Sequence, residues 1–204
     1  MRFFLYNIMY SKNNPLIGGC METSTSLVVR KQLTKTQTLL LYFFIYSFIG
    51  WLSETLYSFC VLGHFTNRGF LFGPICPIYG FGAIIMLIFI QSYQDKPLKL
   101  FLLSAIIFSV FEYIVGFGLD AIFATKWWDY TNDFLNLNGR ISILYTFFWG
   151  IAGLIFIHYV HPFVKKIVTK FLNKFPFWFQ INLVTIFTLI LVVDTVFSSI
   201  HYLI

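Results

Sequence analysis

Three acidic residues interrupt long apolar runs: Glu54 in "GWLSETLY", Glu112 in "VFEYIVGFG" and Asp194 in "LVVDTVFSSI". A fourth, Asp120, closes the run that carries Glu112. Carboxylates in such surroundings are costly, so by default they mark a solute, ion or proton site. Two arginines, Arg68 in "NRG" and Arg140 in "NGR", stand at the start of the next apolar runs. Their planar forks of donors suit an acidic partner or an anionic group. Glu54, Arg68, Glu112, Asp120, Arg140 and Asp194 are therefore the candidate substrate-binding or proton-site residues.

These residues need a scaffold, and composition names its solvent. The 204-residue chain is 58% hydrophobic, 22% aromatic and only 11% charged, with mean hydropathy +0.79. Soluble chains carry about a quarter charged residues, so a bilayer is the expected environment. The expected fold is an all-α polytopic membrane bundle, since lipid requires each backbone to satisfy its own hydrogen bonds. Five apolar segments, at roughly 38–62, 74–90, 98–120, 141–160 and 177–200, are the expected spans. The second is only just long enough for a core of about 30 Å.

Basic residues set the expected orientation. Arg2, Lys12, Arg30, Lys31 and Lys35 precede the first span, Lys96 and Lys99 flank the second turn, and Lys165, Lys166, Lys170 and Lys174 fill the last connection. Arg68, Lys126 and Arg140 fall on the other side. The positive-inside rule then puts the N-terminus inside and the C-terminus outside. It also accounts for the net charge of +6 without nucleic acid. Residues 1–36 read as a poorly ordered cytoplasmic tail and 37–204 as the membrane domain. The tail lacks a signal-peptide pattern, and Met21 is an alternative start. "KKIVTKFLNKF" reads as a basic amphipathic helix along the headgroups.

With that orientation the three acid-bearing helices run from inside to outside. Glu54, Glu112 and Asp194 then rise about 24, 21 and 26 Å from their inner ends, one layer in the outer half of the membrane. One network of these acids with Arg68 and Arg140 is expected there. Between them "NRGFLFGPICPIYGFG" supplies glycines for close approach and prolines that forbid a regular helix. An irregular stretch followed by helix from about Tyr79 is expected, forming the wall of a polar pocket. Glu54 followed by Asn67-Arg68-Gly69, and Glu112 followed by Asn138-Gly139-Arg140, suggest two parallel hairpin repeats.

Other patterns are weaker. Asp194, Ser198 and His201 carry hydrolase residue types, but groups stacked on one helix rarely converge as a triad, so no catalytic residue is assigned. Cys60, His64 and Cys76 lack metal-ligand spacing, and neither a metal nor another cofactor is expected. Trp127, Trp128 and Tyr130 read as an outer interfacial aromatic belt. No GxxxxGK[ST] phosphate loop occurs, so this chain cannot itself hydrolyse ATP by that device.

"FIGWLSETLY", "NRGFLFGPICPIYGFGA", "WWDYTNDFLNLNGRISI" and Trp149-Gly150 resemble the type IV ABC-transporter family, also called CmpB-like. The resemblance covers roughly residues 40 to 155. It implies a multi-pass permease component of a bacterial cell membrane. Its expected partners are membrane lipids, a separate nucleotide-binding ATPase and, as an option, further copies of itself. It supplies no established catalytic residues. Three functions stay open on the sequence: a permease with an outer-half pocket for a solute or proton, a non-catalytic assembly protein, and a small membrane enzyme acting on lipid headgroups.

Overall fold

The structure is a computed structural model, and it describes residues 32–66 and 68–204. The expected tail lies outside the described residues except for its last few. Helix α1, Lys35–Leu62, begins where Thr34 Oγ1 accepts from the Gln37 N–H and Gln37 Oε1 accepts from the Thr34 N–H. That reciprocal pair satisfies two of the free donors at the helix start. Gly63, at φ 72°, ends it by donating to the Phe59 carbonyl.

The chain then runs irregularly to Cys76, and α2, Pro77–Ile85, starts on a proline. Pro77 occupies the first helical turn, where its missing N–H costs nothing. Regular helix thus begins two residues before the expected Tyr79. α2 continues through a π turn at Met86–Ile90 and a 3₁₀ turn at Gln91–Tyr93. Helix α3 spans Pro97–Phe123. Helix α4, Ile143–Ile155, is capped by Ser142 and leads through a π turn, Phe156–Val160, into α5, His161–Lys174. Helix α6 covers Phe177–Leu203.

The chain is an all-α bundle. Among the described residues, four helices are long and apolar enough to cross a membrane: Lys35–Leu62, Pro97–Phe123, Ile143–Lys174 and Phe177–Leu203. Against the expectation of five spans, the second apolar segment makes a shorter helix, Pro77–Tyr93. Gly69, Gly73 and Pro74 hold the chain out of helix until Pro77, which leaves about 25 Å of helix at 1.5 Å per residue.

The basic connection also differs from expectation. It is no separate surface helix but the continuation of α4 through the π turn, 32 residues in all. Pro162 has no N–H, and its ring would crowd the carbonyl four residues back. The widened turn, in which His161 N–H reaches Phe156 O, carries the helix past that point. The apolar face of α5 buries Val164 and Val168 with Leu41, Tyr42 and Val184. Val164 and Val168 thus face α1 and α6, while Phe163 and Ile167 on the same helix stay exposed. Gln180 locks the next corner by donating to the Leu172 and Phe175 carbonyls at 2.7 and 2.8 Å.

Two antiparallel hairpins organise the bundle. As α2 proceeds from Tyr79 through Gly80 to Phe81, its partners on α1 retreat from Gly50 through Ser47 to Phe43. As α4 proceeds from Thr146 to Gly153, its partners on α3 retreat from Ser109 to Ser104. Gly80 on Ser47 and Gly153 on Ser104 are equivalent close crossings, where a Cβ would collide with the serine. Small residues allow such approach where lipid provides no hydrophobic drive between helices.

Candidate functional site

Glu54 and Glu112 are each held by the element that returns against their helix. Glu54, on α1, accepts from the Tyr79 hydroxyl on α2 at 2.5 Å through Oε1. Its other oxygen lies 3.6 Å from Arg68 Nε. The ring of Tyr79 fits over Gly50, four residues before Glu54 on the same face of α1.

Glu112, on α3, is 5% exposed. Its Oε1 accepts from the Tyr130 hydroxyl at 2.9 Å, and its Oε2 accepts from Trp149 Nε1, on α4, at 2.7 Å. Among the described residues no Lys, Arg or His forms an ion pair with it. The expected arginine stands two turns further along α3, where Arg140 Nη2 meets Asp120 Oδ2 at 2.6 Å. The stem of Arg140 passes over Gly116, so the Glu112, Gly116, Asp120 face is one surface with two different partners.

Asp194, on α6, takes neither arginine. It accepts from the backbone N–H groups of Phe72 and Gly73, at 3.1 and 2.9 Å, and from Ser198 Oγ at 3.1 Å. It therefore pins the irregular stretch before α2. His201 packs its ring on Phe72 with centroids 5.2 Å apart, which gives the Asp194, Ser198 and His201 stripe a helix-contact role.

The loop between α3 and α4 is built to aim side chains inward. Tyr130 N–H donates to Gly139 O at 2.8 Å, and Asn136 Nδ2 donates to the Thr131 and Asp133 carbonyls. Gly139, at φ 67°, faces Asp129 and Thr131 where no side chain would fit. Tyr130 stacks on Tyr145 with centroids 4.2 Å apart, and its hydroxyl reaches Glu112. Burial, then the charge of Glu112, push its phenol well above the usual range. Trp128 donates to Arg140 O at 3.0 Å, while Trp127 packs against Phe70 and Tyr202. The residues read as an interfacial belt thus turn toward protein.

These groups border two cavities. An outer one of about 580 Å³, at the loop end, has Arg68, Lys126, Trp127 and Tyr202 in its wall. An inner one of about 450 Å³ is bounded by Glu112, Trp149, Phe108, Met86 and Tyr46. Ser53, Glu54, Tyr79 and Trp128 line both. Of the six candidate residues, Glu54 and Arg68 share the outer cavity and Glu54 and Glu112 share the inner one. Asp120 and Arg140 pair beside them, and Asp194 lies behind the irregular stretch. Tyr79 and Trp149 hold Glu54 and Glu112 through contacts that sequence reasoning did not assign. The available signal was a glycine at Gly50 opposite "PIYG" and the Trp149-Gly150 pair.

The family described as "Putative ABC-transporter type IV" matches residues 41–199. The chain belongs to this family. The match runs from α1 into the last turns of α6, beyond the stretch at residues 40 to 155 whose motifs carry the resemblance. No curated protein and no solved structure matches the chain. Family and fold together identify a multi-pass membrane protein of ABC-transporter type.

Proposed function

We propose that the chain is the permease-like component of a bacterial ABC-type transporter, admitting its solute through the two cavities that meet at Glu54 and Tyr79. The supporting observation is their shared wall: Glu54, paired with Arg68, lines both an outer chamber that carries Arg68 and Lys126 and an inner one bounded mainly by apolar side chains. Charged side chains in membrane proteins characteristically face such cavities. In this reading the N-terminus is cytoplasmic, the loops bearing Arg68 and Arg140 are extracytoplasmic, and a separate subunit supplies ATP hydrolysis. Purification at native abundance tests it. A stoichiometric ATPase whose turnover in proteoliposomes depends on this chain supports the proposal. Absence of any such partner contradicts it.

A second reading, an assembly protein whose charges specify packing, draws on Asp120 and Arg140. Their contact is short, largely shielded and locked by Trp128, as a purely structural pair would be. Full ATPase activation by an Asp120→Asn, Arg140→Gln double variant would assign that pair to packing.

A further inference from the structure

The inner cavity says which chemical class of solute it suits. Among the described residues in its wall, the one acidic side chain shut off from solvent is Glu112, held by two neutral donors, Tyr130 and Trp149. The basic groups nearest the path already have acidic partners: Arg68 has Glu54, Lys126 has Asp129 and Arg140 has Asp120. At the far end His161 Nδ1 is occupied by the Tyr46 hydroxyl at 2.9 Å. An anion in this chamber would face two carboxylates, Glu54 and Glu112, with no Lys, Arg or His among the described residues of its wall. A neutral solute would offer an ionised Glu112 no countercharge.

Aromatic rings share the rest of the wall with aliphatic side chains such as Ile49, Ile78 and Met86. Tyr79, Phe108, Phe111, Trp128 and Trp149 border the same space as Glu112. Ring faces attract desolvated cations, tryptophan most strongly. A bare metal ion would need several oxygens converging at short range, whereas about 450 Å³ falls in the size range of small-molecule pockets. Resting on the permease reading, we propose that the inner cavity binds an organic ammonium ion with an apolar body, its charge set against Glu112 and its alkyl groups against the surrounding rings.

The test is equilibrium binding of radiolabelled choline to the purified full-length chain in lipid nanodiscs. The competitors are tetraethylammonium and dimethylbutanol, the analogue in which carbon replaces the nitrogen. Saturable binding displaced by tetraethylammonium and not by dimethylbutanol is expected. Glu112→Gln should weaken it by about tenfold or more, the scale of losing a desolvated charge contact. Trp149→Phe, which keeps a ring but removes the donor to Glu112 and the stronger cation-attracting face, should weaken it as well, by less than Glu112→Gln. Because Glu112→Gln could unfold the chain, the comparison of the two competitors on unmodified protein decides independently. Equal displacement by dimethylbutanol, wild-type affinity in folded Glu112→Gln, or no saturable binding would overturn the proposal. ATP-driven transport of another solute with no choline binding would sink this inference and leave the permease reading intact. Choline binding without an ATPase partner would do the reverse.

Discussion

The hydroxyl of Tyr79 reaches Glu54 at 2.5 Å because Gly50, one turn earlier on α1, leaves space for the tyrosine ring. An added Cβ at position 50 would overlap that ring. Gly50→Ala should therefore push Tyr79 away, cost about 1–3 kcal/mol as an overpacked contact, and free Glu54. Thermal unfolding in detergent reads the loss. Gly118→Ala, where a Cβ meets nothing within 4 Å, should leave stability nearly unchanged.

Arg140 and Asp120 predict a coupled pair. Arg140→Ala leaves a partly shielded carboxylate without its donor and should cost about 1.5–3 kcal/mol, the range for hydrogen bonds to charged groups. Adding Asp120→Ala should recover part of that loss, as contacting partners do. Additive losses in unfolding would show that the pair is not coupled.

The outer loop should respond to acid. The Thr131 hydroxyl and then the Thr131 N–H, with Lys126 3.5 Å away, hold the Asp129 carboxyl below its usual value. A lowered folded pKa gives stabilisation that is present above the unfolded value, about 3.9, and lost as pH falls through the folded one. Protection of the Thr131 N–H against hydrogen exchange, measured relative to its intrinsic rate at each pH, should therefore fall as the pH drops below about 4. Asp129→Asn should remove that pH dependence.

Much of the fold was legible because lipid enforces it: apolar length, low charge and helix-breaking residues locate the helices. Arg68 beside Glu54, and the polar face from Glu112 through Gly116 to Asp120, follow from position along a helix. Other features depend on the third dimension. Nothing in the local spacing says that Arg140 reaches Asp120 and leaves Glu112 to Tyr130 and Trp149. Nor does a proline at position 162 announce a π turn that carries the helix through it. The shortness of α2 follows from where Gly69, Gly73 and Pro74 release the chain, a boundary that apolar composition blurs.

Orientation has its own check. In a background with Cys20, Cys60 and Cys76 replaced by serine, Asn132→Cys should react with an impermeant thiol reagent in intact cells. Lys170→Cys should react only after permeabilisation. Both positions are exposed, so the opposite pattern would reverse the topology.

Ser53 lines both cavities and donates its hydroxyl to Ile49 O, away from Glu54. In the same cysteine-free background, Ser53→Cys offers the most direct test of the solute path. Modification from outside by an impermeant methanethiosulfonate should occur and should abolish transport by the reconstituted complex. An unreactive Ser53→Cys in cells where Asn132→Cys reacts, or full transport after complete modification, would contradict the account.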